Sequence, residues 1–513
     1  MNTRNLSLAM LLAALPLGDA FAAATWIVTG TGEPATIDSA VCDGSNNCPT
    51  LRDAINIAHS GDIIRFSSAI DGGTILLNQY SNGQTGTEFG PSAFFINGGI
   101  SLTIDGETGL TRGITIARDT SKAPFRLFDI DISGSSSPFI VSGLTLQGLT
   151  LKDGLAQGFS SDSGGGALGA GGAIFNQGNL TIDGCTFADN AAQGGASGDG
   201  SGNSGGAGVG STPSGSAGGG PNGGAGVGSN PGGFGGGGSA YDGGAPGGFG
   251  GGGGLGGSGG GAGGFGGGGG AGGSGSIGSG GFGGGASSAN FGGGAAGMGG
   301  AIFNDAGTLT ITNSTFTANN ASGGAGGSGA AGGSGFGGAI FNYSATFNIQ
   351  SSTLARNAVN AASGGAADGG ALYSYDDRNC ALGGNTCPNG SSSIFDLENS
   401  ILSNSRGSAH DIAIMVDTPP AIGTFDGLIV MAYDNTQFTI SNFIGSADPQ
   451  LSPLGNYGGW TPTLVPHKGS AAIDKVACLL AVDQRGAARP QGSSCDVGAV
   501  EYDGDYIFAN GLD

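Results

Sequence analysis

The chain has 513 residues, 118 of them glycine, and only 10% are charged; acidic residues outnumber basic ones 37 to 15, for a formal net charge of −22. So acidic a chain repels nucleic acid and anionic membranes, and both are set aside as partners. Three histidines and 15 basic residues leave few groups for general-base or anion-binding chemistry.

Residues 1–24 read as a secretory signal. Arg4 gives a positive start, "LSLAMLLAALPL" is a short apolar core, and the small residues ending at Ala22 or Ala24 suit cleavage. The apolar run is too short to span a bilayer, and no later stretch reads as a transmembrane helix. The expectation is an exported protein. Cysteine placement agrees with an oxidising compartment: Cys42 and Cys48, Cys380 and Cys387, and Cys478 and Cys495 are the disulfide candidates, although spacing does not prove their connectivity. No His or further Cys lies nearby at ligand spacing, so no metal and no cofactor is expected.

After the signal, "TLRDAINIA" predicts one amphipathic helix. Thr50 and Asp53 make a capping box, and Leu51, Ile55 and Ala58 share a face. Strand-like pieces follow: "DIIRF", "GTILL", "SLTIDG", "GITIARD", "FDIDISG" and "FIVSGLTLQGLTL".

From Gly171 the chain repeats itself. "GGAIFNQGNLTIDGCTFADN" returns as "GGAIFNDAGTLTITNSTFTANN" from Gly299 and "GGAIFNYSATFNIQSSTLARN" from Gly337; a blurred copy starts at Gly369 and resumes as "SSIFDLENSILSNSRG". Three short alternating pieces per copy, separated by turn formers, predict an all-β fold, a right-handed parallel β-helix of the pectin-lyase-like kind. Ile174, Ile302 and Ile340 then form one core column, and Phe187, Phe316 and Leu354 another. Cys185 aligns with Ser314, Ser352 and Asn399 and points inward as a buried free thiol. Asn176, Asn304 and Asn342 align, as do Asn190, Asn319, Asn357 and Asn404; both series read as structural ladders at turns. The helix caps the N-terminal end of the solenoid, whose edges would otherwise be open.

Residues 191–298 interrupt the repeats with a glycine-rich insert that has too few apolar side chains for an ordinary core. Two forms are open to it, a flexible tether or a bundle of extended polyproline-II-like strands. Phe234, Phe249, Phe265, Phe282 and Phe291 are either adhesive stickers or anchors on the coil face. The loops 321–336 and 358–368 leave at the same corner, so all three are expected to project from one edge.

These residues also resemble known families. The "GGAIFN…F..N" repeats resemble those of polymorphic outer-membrane proteins, and Cys42–Phe66 resembles the CSLREA domain of exported bacterial proteins. Ala447–Glu501, with "LSPLGNYGGWTPTLVPHKGSAAID" and "DQRGAARPQGSSCDVGAVE", resembles the choice-of-anchor Q domain. The tail "GDYIFANGLD" looks like a terminal motif of secreted Gram-negative proteins. The resemblances imply architecture and an extracellular or outer-surface location, but no defined activity. The expected organisation is a signal (1–24), a CSLREA-like cap with first coils (25–190), the insert (191–298), repeat coils (299–446), anchor-Q-like last coils and cap (447–503) and a tail motif (504–513).

No catalytic residues are assigned. Asp183, Asp189 and Asp305 do not recur in register; "YDDRN" from Tyr375 reads as a solvated loop; His59, His410 and His467 share no carboxylate; Asp483, Arg485 and Arg489 read as ion pairs closing the C-terminal end. The favoured function is a non-catalytic, adhesin-like surface or structural protein that displays glycine-rich loops. Its expected partners are an extracellular glycan, a host or neighbouring cell surface, or a second copy through the insert. The alternative is a polysaccharide lyase or glycoside hydrolase.

Overall fold

The computed structural model describes residues 23–80, 89–133, 140–198, 205–220, 226, 230–240, 243–273, 275–377, 393–416, 422–434, 436 and 438–504. Residues 1–22, where the signal is expected, Cys380, Cys387 and the tail beyond Gly504 lie outside them.

The chain winds as a parallel β-helix. Three long sheets form its sides: sheet A with ten strands, sheet B with eight and sheet C with seven. In one middle coil, Ile302–Asp305 lies in sheet C, Thr308–Thr312 in A and Thr315–Thr317 in B. Each pairs in parallel with the equivalent strands of the coils before and after. Two further short strands per middle coil, such as Ala191–Gln193 and Gly297–Met298, build two four-stranded sheets that the three-strand expectation lacked. The first three and last two residues of 191–298 therefore belong to coils.

Alternation decides what faces inward. Leu180, Ile182, Leu309 and Ile311 point in from sheet A, and the columns Ile174–Ile302–Ile340 and Phe187–Phe316–Leu354 are fully buried with them in one continuous core. The rings of Phe187 and Phe316 stack at 4.6 Å. Cys185 is a buried free thiol in this core, and burial pushes it far above the ordinary thiol range.

The asparagine ladders form inside. Asn176 donates to Asn304, and Asn304 to Asn342, both at 2.7 Å; Asn190 donates to Asn319, and Asn319 to Asn357, both at 3.0 Å. All six are fully buried. The fourth copy is displaced by one residue from the expected alignment. Ala355 pairs with Ser403, which sets Asn404 beside Arg356 and Asn399 beside Ser351. Asn404 therefore lies outside the ladder and bonds Asp448 at 3.3 Å. Ser400, not Asn399, continues the Cys185–Ser314–Ser352 column by accepting the Ser352 N–H. The left-handed corners belong to the neighbours of the ladder residues: Asp189, Ala318, Arg356 and Asn404 have φ of 56°, 56°, 62° and 56°. Asn319→Ala removes the acceptor of the Asn190 main-chain N–H (3.1 Å), one of the two acceptors of the Asn190 side-chain amide, and the side-chain donor to the carbonyl of Phe187 (2.9 Å). It is expected to cost on the order of 3 kcal/mol in urea unfolding, whereas exposed Asn179→Ala is near neutral.

The N-terminal end is closed by helix α1, Leu51–Ile57, with Thr50 as its N-cap. Asp53 N–H bonds Thr50 Oγ1 at 3.2 Å, and Leu51 and Ala54 enter the main core. Arg52, buried and paired with Glu33 at 2.7 Å, donates to the carbonyls of Gln79 and Ala93, beside the first strands of sheets B and C. Cys42 and Cys48 form a disulfide next to this cap.

The other end differs from expectation. The described residues of 431–434 and 438–445 cover it: Tyr433, Ser441 and Gly445 bridge to the last strands, and Phe438 and Ile440 join the core. Residues 447–503 form neither last coils nor a cap. They lie along the outer face of sheet B and reach back to the first coils. Trp460 Nε1 bonds Leu110 O (3.1 Å), Thr461 bonds Gly184 O (2.8 Å), Gln484 bonds Thr186 and Thr315 (3.0 and 2.6 Å), and Ala499 N bonds Thr353 Oγ1 (3.0 Å). Ile401 and Ile429 are buried under Leu464, Val476 and Val497 of this side module. Cys478 and Cys495 are bridged within it, as are the ion pairs Asp483–Arg485 (2.7 Å) and Arg489–Glu501 (2.6 Å), which therefore do not close the solenoid's end.

The described insert residues form a packed layer, not a tether. Gly252, Gly253 and Gly254 donate to Ala207, Gly268 and Ala245, on three different neighbours, and Gly256 returns to the second of them at Ala271. Three residues per turn is the polyproline-II period. A Cβ on Gly252 would overlap Gly165 O, one on Gly253 would overlap Gly261 O, and one on Gly254 would overlap Ser239 O. Only glycine lets the backbones approach this closely. The loops 323–334 and 362–366 join the layer instead of projecting freely: Gly294 N bonds Ala331 O (3.0 Å) and Gly332 N bonds Ser363 O (2.7 Å).

Four phenylalanines hold the layer to the solenoid. Phe234, Phe249, Phe265 and Phe282 each sit in a Gly-Phe-Gly-Gly turn closed by an N–H···O bond of 2.8 or 2.9 Å. The glycine after each has φ between 70° and 79°, the left-handed position of a type II turn. Their rings stack in sequence at 5.2, 4.9 and 5.3 Å, and pack on the outward rings Phe303 and Phe341 of sheet C and on Tyr375. These four are anchors in a second core; Phe291 is half-buried outside it.

Candidate functional site

The sequence-derived acidic candidates are dispersed. Asp189 is exposed and pairs with Lys152 at 3.5 Å. Asp305 is buried on sheet C, bonded by Gln177 at 2.7 Å; burial pushes its carboxyl up to about 7, the hydrogen bond opposing and Asp131 adding. Tyr375, Asp376 and Asp377 are not in a solvated loop. Tyr375 and Asp376 end the strand Leu372–Asp376, both aspartates are buried, and Ser393 bonds Asp376 at 3.1 Å. Arg378 and Asn379 lie outside the described residues. The histidines stand apart: His59 follows α1, His467 is exposed on the side module, and His410, just before the strand Ile412–Val416, has Nδ1 at 3.0 Å from Asp368. Among the described residues no group of three or more His, Cys, Asp or Glu could hold a metal ion, and no helix is long and apolar enough to cross a membrane.

What stands out is a face. The side module covers the outside of sheet B and the glycine layer covers sheet C, whereas the outside of sheet A carries exposed and half-buried polar side chains. In the five consecutive strands from Ser101–Asp105 to Thr346–Gln350 every outward residue is polar or glycine. Thr103, Thr145, Thr181 and Thr310 stand in register, one per coil, about 4.8 Å apart. Beside them runs a mixed column: Arg65 pairs with Asp105 (2.9 Å), Thr312 donates to Asp183 (2.7 Å) and Gln350 to Glu398 (2.8 Å). Burial raises Asp105, but hydrogen bonds from Thr108, Glu107 and Arg65 outweigh it and hold the carboxyl below its ordinary range. At the corner toward sheet B, burial and the charges of Asp183 and Asp105 push Glu107 up to about 7.

The repeat pattern announces this face as alternating polar positions, but which face stays open depends on how the insert and the side module dock. Among the described residues, fold and face together define a parallel β-helix with one uncovered polar side. Comparison with family models, curated proteins and solved structures finds no match in any of the three.

Proposed function

We propose that the chain is an exported, non-catalytic surface protein of the adhesive kind, with the solenoid as a rigid rod and sheet A as its contact face. The observation that carries this reading is that two of the three long sides are covered by the chain itself, while the third is a regular polar surface. Cleaving a polysaccharide asks for carboxyl groups converging across a bond, whereas a regular array of fixed hydroxyl, amide and carboxylate groups suits binding along a polymer. Export through residues 1–24, a CSLREA-like cap, outer-membrane-type repeats, an anchor-Q-like module and a terminal tail fit the same reading. The partner is an extracellular glycan on a host or neighbouring cell. Self-association through the insert is less favoured, because Phe249 and Phe265 are buried in the chain's own second core.

One observation favours the polysaccharide-cleaving alternative: Glu107, held near neutral range beside Asp183, has the character of a general acid. Incubating the secreted protein with acidic and neutral glycans separates the two readings. Retention without new reducing or unsaturated ends is the expected result. Product release that disappears in Glu107→Gln overturns it.

A further inference from the structure

We propose that the outer face of sheet A binds a linear polysaccharide bearing protonated amines. The proposal rests on the adhesive reading above and adds the surface and the ligand chemistry. The argument begins with charge. Outward positions of sheet A carry Asp105, Asp183, Asp396, Glu398 and Asp426 against one cation, Arg65, which Asp105 already engages. The acidic groups are held in place: Thr312 bonds one oxygen of Asp183, Gln350 one of Glu398, and the Thr424 N–H one of Asp396. Among the described residues no hydrogen bond reaches the other oxygen of each, which is left for a ligand. From Arg65 to Asp426 one column crosses eight strands, about 34 Å, with carboxylates at Asp105, Asp183, Glu398 and Asp426 and Gln147, Thr312 and Gln350 between them, while Asp396 stands in the neighbouring column beside Asn348. A face that is net acidic along its length is complementary to a polymer that carries positive charge along its own.

The companions of the carboxylates point to a sugar backbone. Thr145, Thr181 and Thr310 present hydroxyl groups beside this column, able to donate to and accept from ring hydroxyls. A basic polypeptide would want a strand edge or an apolar anchor. This surface is the face of a sheet, not its edge, and its five central strands offer no outward apolar side chain.

The test titrates the full secreted protein with a six-residue β-1,4-glucosamine oligomer, its N-acetylated counterpart and an oligolysine of equal charge. The amine oligomer is expected to bind, more weakly as salt rises, and the acetylated form roughly tenfold or more weaker. The triple variant Asp183→Asn, Asp396→Asn, Glu398→Gln should lose roughly tenfold or more in affinity with its melting temperature kept, while Asp38→Asn, in the exposed N-terminal region, binds normally. Equal binding of the acetylated oligomer, undiminished binding by the triple variant, or tighter binding of oligolysine overturns the proposal. If glycans are retained without turnover by both wild type and triple variant, the adhesive reading stands and only this face is wrong. If the oligomers are cleaved, the adhesive reading itself falls.

Discussion

Gly252→Ala is expected to open the glycine layer while leaving the solenoid folded. The new methyl group would overlap the main chain of Gly165 and Gly166, with Gly165 O as the nearest atom, and none of its three nearest neighbours is a side chain that could move aside. Overpacking of this kind costs about 1–3 kcal/mol even where side chains give way. Here backbones must separate, and the bonds from Gly252 N to Ala207 O (2.9 Å) and from Gly165 N to Gly253 O (2.8 Å) go with them. Chymotrypsin reads the outcome, because Phe249 and Phe265 are buried only while the layer is packed. Cleavage at these residues should become rapid in the variant. Fluorescence of Trp26 and Trp460, which bond Asp62 and Leu110 on the solenoid, should not change. Gly198→Ala is the control: its added Cβ would have no neighbour nearer than 3.5 Å, and its stability should stay within about 0.5 kcal/mol. Equal cleavage of wild type and Gly252→Ala would mean that the layer is not packed in solution.

Stability should fall as pH rises from about 4 to about 7 and then level off. Asp305 and Glu107 are pushed up to about 7, and Asp496 to about 6, by burial in each case. A raised carboxyl keeps its proton in the folded protein at a pH where the unfolded chain has released it. The folded state binds more protons throughout that window, so raising the pH favours unfolding. Asp305, buried on all sides, contributes most, on the order of 3 kcal/mol between pH 4.5 and 7.5. Carboxyls held low, such as Asp105, lose their contribution only below about pH 4, outside this range. Calorimetric melting at the two pH values checks the sign. Asp305→Asn, which keeps an acceptor for Gln177, should flatten much of the slope. A melting temperature that rises toward pH 7.5 would contradict the assignment.

The same six residues, GGAIFN, recurring at the head of three copies made the coils legible. Ile174, Ile302 and Ile340 can share a column only if the chain returns to the same corner, and the buried ladders Asn176–Asn304–Asn342 and Asn190–Asn319–Asn357 follow from that return. The fourth copy slipped because asparagine suits both a ladder and a left-handed corner. In "ENSILSNS" the pairing of Ile401 and Leu402 with Thr353 and Leu354, not the asparagines, sets the register. The docking of residues 447–503 was not legible. It runs through Thr186, Thr315, Thr353 and main-chain groups far away in sequence, a pattern with no periodic signature. The layer was half legible. "GGX" allows polyproline-II packing, while the Gly-Phe-Gly-Gly turns that commit to it are written in the same residues, and their recurrence is the signal that was missed.

The place where the insert leaves and re-enters has one more consequence. Gly195 O accepts the Ala295 N–H at 2.9 Å, so the outgoing and returning chains touch. Ala191–Gln193 and Gly297–Met298 on either side keep the same partners whatever lies between them. That corner acts as an expansion joint. The phenylalanine turns recur fifteen, sixteen and seventeen residues apart, and in the described residues of each interval the chain returns alongside itself as a hairpin: Gly248 N bonds Gly236 O, Gly261 N bonds Gly254 O and Gly278 N bonds Gly270 O. Material can be gained or lost there in whole hairpins, widening or narrowing the molecule sideways without changing its length along the rod or the register of a single coil.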